Sequence, residues 1–163
     1  MAINYRAATK SDLDQIYKLI QSNVYFYTSF ESEEALALIT PHSYVAVSGD
    51  IVVGFSSLVE KNPNVLIGAM LVVHPEFRGM GIGKNLSLMR FEGIKDTTIV
   101  ADCWIHPTSS HEVTSDILLK SVDFVELWHY KKPWESECNT TGFCKYHDSG
   151  GCHCDVKILA KHF

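Results

Sequence analysis

The chain has 163 residues, 46% hydrophobic and 20% charged, a balance that builds a packed core and excludes disordered and collagen-like chains. A formal net charge of −5, with no run of Lys or Arg able to track a phosphate backbone, sets nucleic acid aside as a partner. The first residues, MAINYRAATKSDLD, show no basic segment followed by an apolar run, and no stretch nears about 18 consecutive apolar residues. The expectation is one soluble, cytoplasmic domain over residues 1–163, with no membrane partner.

In chain order, Ala2 to Ala7 reads as a strand, and Leu13, Ile16, Tyr17 and Ile20 then recur at helical spacing. Ser11, with Asp14 three residues on, approximates a capping box for that helix. Ser32, Glu33 and Glu34 place acids at the start of a shorter helix reaching about Ile39. An aromatic stretch, Tyr25 to Phe30, lies between the two; it suits either core packing or the wall of a substrate entrance. Two β-rich runs in SYVAVSGDIVVGFSSLVE flank Ser48-Gly49-Asp50, a hairpin signal. The turn Lys61-Asn62-Pro63 leads into a third run, Asn64 to His74, which ends against Pro75.

From Gly81 to about Ile94, Ile82, Leu86 and Met89 share one helical face, and Thr97 to Cys103 returns to β character. Ser109 and Glu112 form an S-x-x-E box before a last helix carrying Ile117 and Leu118. Phe124 to Tyr130 and Asp155 to Phe163 are strands, separated by a Cys-rich loop at about 134–154. The order β-α-α-β-β-β-α-β-α-β-β predicts an α/β (α+β) fold with a mostly antiparallel sheet of about seven strands, one local parallel pairing and about four helices.

The chemistry concentrates in Arg78-Gly79-Met80-Gly81-Ile82-Gly83-Lys84, between a strand and an amphipathic helix. Amides at a helix start have no partner inside the helix, glycines let an anion approach the backbone, and the helix dipole adds partial positive charge. Arg78 and Lys84 add cations, so a pyrophosphate is the natural ligand. A P-loop would need Ser or Thr after its Lys, where this chain has Asn85, and G-x-G-x-G is not the dinucleotide fingerprint G-x-G-x-x-G.

The stretch Val73 to Gly83, V-x-P-x-x-R-G-x-G-I-G, resembles motif A of the GNAT N-acetyltransferases, and the element order resembles theirs over about residues 2–130. The resemblance implies a GNAT-like mixed sheet and an acyltransferase that passes acetyl from acetyl-CoA to a primary amine by direct attack. It implies pyrophosphate contacts at Arg78, Gly79, Met80, Gly81, Gly83 and Lys84, and the pantetheine arm along Leu71, Val72 and Val73. It also admits a homodimer. The family commonly places a Glu in the fourth strand and a Tyr in the helix after the fifth; here VLIGAMLVV carries no acid, and Leu119 stands where the Tyr is expected.

An amine nucleophile must lose a proton, which leaves His111 and Glu60 as candidate catalytic groups, His111 having the more suitable ordinary pKa. Cys138, Cys144, Cys152 and Cys154 offer four thiols to a structural zinc that would staple the loop between the last two strands. Their spacing lacks paired knuckles, so free thiols at a sheet edge is the other reading. Cys103, within a strand, reads as a small buried hydrophobe. The competing function is a non-catalytic acyl-CoA-binding or metal-responsive interaction module, favoured by the absent Tyr and the cysteine tail.

Overall fold

The computed structural model describes residues 2–23, 31–105, 114–136 and 153–163. Among them the chain forms β1 (Ile3–Ala7), a 3-10 turn (Lys10–Asp12), α1 (Leu13–Asn23), α2 (Ser32–Ala37), β2 (Ser43–Ser48), β3 (Ile51–Asn62) and β4 (Val65–Val73). A second 3-10 turn (Pro75–Phe77) leads to α3 (Ile82–Phe91), β5 (Thr98–Ile105), α4 (Ser115–Lys120), β6 (Val125–Lys131) and β7 (Asp155–His162). The expected α/β fold, with seven mostly antiparallel strands and four α-helices among the described residues, is what the structure has. No helix among the described residues is long and apolar enough to cross a membrane.

The chain divides into two compact units, residues 1–99 with 162–163, and residues 100–161. In the first, β1, β2, β3 and β4 lie side by side, each antiparallel to the next. Gly49, at φ 61, turns the β2–β3 hairpin as its sequence predicts. The β3–β4 turn falls one residue later than expected, at Pro63-Asn64, because β3 runs on through Asn62, whose side chain accepts from the Asn64 amide at 3.0 Å.

Two apolar clusters in this unit have different owners. Ile16, Leu19 and Ile20 of α1 and Ala35 of α2 pack with Val45, Val52, Phe55 and Val72 of the strands. Ile82 and Leu86 of α3 pack with Ala46 and Val53. Neighbouring strand residues such as Val45 and Ala46 feed different clusters because side chains alternate between sheet faces. Gly54 brings α3 close: a Cβ there would stand 3.0 Å from both Ile82 Cγ2 and Leu86 Cδ1.

The capping expected of Ser11 and Asp14 sits two residues earlier, on Thr9 and Asp12, at the start of the 3-10 turn. The Asp12 carboxylate accepts from the Thr9 amide and hydroxyl, each at 2.8 Å, and takes a two-pronged contact from Arg6 at 2.6 and 2.8 Å. The Arg6 hydrogen bond outweighs burial and lowers the Asp12 pKa to about 2.

In the second unit, β7 lies between β5 and β6, and β6 and β7 are antiparallel. Cys103, Leu119, Phe124, Cys154 and Leu159 are buried, and Trp104 stacks on Trp134 with ring centroids 3.9 Å apart. Burial alone would raise the pKa of Asp116, yet hydrogen bonds from Lys157 and Thr114 hold it below the usual carboxylate range. Asp123, at φ 68, ends α4 in the left-handed conformation, with the Phe124 amide returning to Leu119 O at 3.1 Å.

Candidate functional site

The site begins with the backbone of β4. The His74 amide donates to Val53 O at 2.8 Å, and β4 pairs in register with β3 from Gly54↔Val73 to Ser57↔Met70. Antiparallel pairs alternate between hydrogen-bonded and open, so the polar groups of Val72 and Met70 face β3 while those of Val73 and Leu71 point off the other edge of the strand. The pairing then slips from Ser57↔Met70 to Leu58↔Gly68, which makes Ala69 the extra residue of a β-bulge.

After β4 the chain tightens. The Phe77 amide donates to His74 O at 2.9 Å, the Arg78 amide to Pro75 O at 3.2 Å, and Arg78 Nε reaches back to Val73 O at 3.2 Å. Gly79 and Gly81 follow at φ 77 and φ 76, and Gly81 is the N-cap of α3. A Cβ at either glycine would meet nothing within 4 Å, so the glycines are there for backbone conformation and open approach, not for packing.

The first amide returned to the helix is that of Asn85, to Gly81 O at 3.0 Å. The amides of Gly79, Met80, Gly81, Ile82, Gly83 and Lys84 have no acceptor among the described residues. Six consecutive donors, two left-handed glycines and the positive end of α3 thus converge on exposed space, with Met80 55% exposed and Lys84 exposed beside it. Asn85 Nδ2 donates to the Tyr5 hydroxyl at 3.0 Å, which ties this helix start to β1. Chemically, the arrangement is a cradle for a phosphate-bearing ligand.

Arg78, Gly79, Met80, Gly81, Gly83 and Lys84 are therefore brought together, with Leu71, Val72 and Val73 on the strand that feeds them. Glu60 is exposed and pairs with Leu66, six residues and about 20 Å along β3 from Gly54, the residue facing Val73. His111, Ser109, Ser110 and the Tyr25 to Phe30 stretch lie outside the described residues, as do Cys138, Cys144 and Cys152. Leu119 is buried in α4 and contributes no hydroxyl. Cys154 is buried, no metal-ligand group occurs among the described residues, and Cys103 is buried as its sequence context predicts.

Sequence reading missed Arg90. It is 2% exposed and donates through one guanidinium nitrogen to Ser57 O at 3.2 Å and Met70 O at 3.0 Å, the pair beside the bulge. A signal existed: Ile82, Leu86 and Arg90 are spaced i, i+4, i+8, which puts an arginine in the apolar register of α3.

Residues 40–114 match the family model of the acetyltransferase (GNAT) domain. No curated protein sequence matches the chain. Among solved structures, the chain is similar to Arabidopsis thaliana Naa50 in complex with the bisubstrate analogue CoA-Ac-MVNAL, with a TM-score of 0.70 and 17% identity over 100% of both chains. It is similar to the diaminobutyrate acetyltransferase EctA of Paenibacillus lautus, in complex with its substrate and coenzyme A, with a TM-score of 0.68 and 15% identity over 99% of this chain and 96% of that one. The ribosomal-protein-S18-alanine N-acetyltransferase of Escherichia coli gives a TM-score of 0.67 and 13% identity over 98% and 92%. At these identities the likeness is one of fold.

Proposed function

From the match of residues 40–114 to the acetyltransferase (GNAT) domain and the likeness of fold, we propose that residues 1–163 form one N-acetyltransferase domain that moves acetyl from acetyl-CoA to a primary amine. The observation that carries this reading is the run of six unpartnered amides from Gly79 to Lys84 at the start of α3. A pyrophosphate needs several donors converging without side chains in the way, and Arg78 and Lys84 add charge at the rim. The edge of β4 that carries the Leu71 and Val73 amides suits the amide-bearing pantetheine arm, which pairs with an extended backbone as a strand does.

Chemistry follows from the ligand. The amine, once neutral, attacks the thioester carbonyl carbon; its π electrons move to oxygen, and collapse of the tetrahedral intermediate expels the CoA thiolate. The amine's proton leaves to a base and the thiolate takes one up. His111 is the proposed base, with Glu60, exposed on β3, as the alternative. Leu119 supplies no hydroxyl to the departing thiolate, which takes its proton from another donor or leaves as the anion.

The reading extends to a cytoplasmic enzyme and a homodimer, the latter checked by light scattering. In the tail, a structural zinc on Cys138, Cys144, Cys152 and Cys154 would use up four coordination positions, so it would stabilise and not catalyse. Elemental analysis of dialysed protein tests it.

Thiol release from acetyl-CoA over a panel of small-molecule and peptide amines tests the activity. The reading expects CoA release above background with at least one amine, and a loss of about 100-fold or more in kcat for His111→Ala at unchanged acetyl-CoA affinity. Tight CoA binding with no release by any amine would instead favour the non-catalytic acyl-CoA-binding module.

A further inference from the structure

Arg90 is a cation in the apolar register of α3, and its guanidinium lies where the β3–β4 ladder changes step. Its Nη1 donates to both carbonyls of the Ser57↔Met70 pair, at 3.2 and 3.0 Å, and Ala69, the unpaired residue of the bulge, comes directly before Met70. The guanidinium carbon also stands 5.1 Å from the centre of the Phe91 ring, and Ser56 Oγ donates to Leu86 O at 3.3 Å, so the side chain enters a packed layer between helix and sheet. A bulge frees a strand from its regular pairing and allows its peptide planes to rotate. Arg90 removes that freedom at one plane.

That plane is the peptide joining Met70 to Leu71. A trans peptide holds its C=O and N–H in one plane and pointing in opposite directions. With the Met70 carbonyl held toward β3 by Arg90, the Leu71 amide is aimed off the opposite edge of β4. A charge-assisted bond to the carbonyl also polarises the peptide, which makes its N–H a stronger donor. The buried guanidinium therefore acts on the one amide of the predicted pantetheine segment that lies next to the bulge.

We propose that Arg90 is a positioning residue for acyl transfer: by clamping the Met70 carbonyl at the bulge it orients and strengthens the Leu71 amide as the hydrogen-bond donor to the thioester carbonyl of bound acetyl-CoA. This rests on the acetyltransferase reading above. It assigns Arg90 no contact with the substrate; the donor that touches the reacting group is the Leu71 backbone. As the amine attacks, charge grows on that carbonyl oxygen, and a donor fixed beforehand is worth more than one that must rotate into place.

The test needs no acceptor amine. Acetyl-CoA labelled with carbon-13 at the acetyl carbonyl is bound to the wild type, Arg90→Met and Arg90→Lys, and the labelled carbonyl stretch is read by infrared difference spectroscopy. Calorimetry with unlabelled CoA and thermal unfolding are run on the same samples. The wild type should shift the stretch to lower wavenumber; Arg90→Met should lose most of that shift while CoA affinity stays within about threefold, a difference under about 0.7 kcal/mol. Arg90→Lys, which keeps the charge but can serve the two carbonyls less well, should recover part of it.

A purely structural role would lower the melting temperature of both variants and leave the carbonyl frequency of the bound, folded fraction unchanged. That outcome overturns the proposal. Should Arg90→Met fail to fold, Arg90→Lys alone decides, since it must show a smaller shift than the wild type. Failure of wild-type protein to bind acetyl-CoA at all would sink the acetyltransferase reading and this proposal with it. Binding with an unshifted carbonyl in the wild type would sink only the proposal.

Discussion

Asp12 shows how one side chain fixes a chain entry and carries a pH signature. Its carboxylate takes two bonds from Arg6 and two from Thr9, and its pKa falls to about 2 from the ordinary 3.8. Because the folded value is the lower one, this stabilisation is fully present above about pH 4 and is lost as pH falls through about 2. Arg6 is 43% exposed, so water screens part of the interaction and Asp12→Asn should cost about 1–2 kcal/mol at neutral pH. Denaturant melts of both proteins from pH 7 down to 2 should show their stabilities converging below pH 4; a gap that stays constant would mean the carboxylate charge is not what Arg6 and Thr9 hold. The sequence placed this box on Ser11 and Asp14, whereas Arg6, arriving on β1, meets Asp12, and periodicity does not report which side chain a neighbouring strand delivers.

At the scale of elements, Gly54 and Asp123 make opposite demands. Gly54 is the point where α3 lies on β3, and Gly54→Ala pushes a methyl to 3.0 Å from Ile82 and Leu86. Overpacking of this kind should destabilise by about 1–3 kcal/mol, and Leu86→Val in the same chain should return part of it, as a double-mutant cycle in urea would measure. Additive costs would mean the two side chains do not compete for one space. Asp123 holds a left-handed conformation that glycine adopts freely, and its pairing with Lys161 at 3.5 Å is too exposed to offset much. Asp123→Gly should therefore raise stability by about 0.5–1 kcal/mol in thermal melts; a loss would show that α4 does not end this way. The element order was legible because helical and strand periodicities differ so sharply between, for example, Leu13–Ile20 and Ser43–Leu58. The reason for a glycine at position 54 was not legible, since it depends on where a helix nearly thirty residues later comes to rest. Arg90 was half legible: its spacing from Ile82 and Leu86 marks it as inward-facing, but its carbonyl partners belong to two strands.

For the molecule as a whole, the fold and the proposed cofactor cradle share one origin. Strand β4 must end before Pro75, the chain must reverse into α3, and the left-handed glycines that make this possible also leave six amides facing open space. Motif A was readable because the requirement is local: the same fourteen residues, LVVHPEFRGMGIGK, supply strand, turn and helix start. Catalysis was not readable to the same depth. His111 and Glu60 are separated by about fifty residues, and a buried Leu119 stands where the resemblance implies a Tyr, so the proposed proton path would depend on groups that no local pattern joins. The proposed hold of the Gly79–Lys84 amides on the pyrophosphate of acetyl-CoA is tested most directly by calorimetric titration of acetyl-CoA into the wild type and Gly81→Val, with circular dichroism confirming that both are folded. Saturable binding by the wild type is expected, with an affinity lower by about tenfold or more, at least about 1.4 kcal/mol, in the variant, because a β-branched side chain strains the left-handed N-cap and fills the approach; equal affinity in the two folded proteins would mean that these amides do not hold the pyrophosphate.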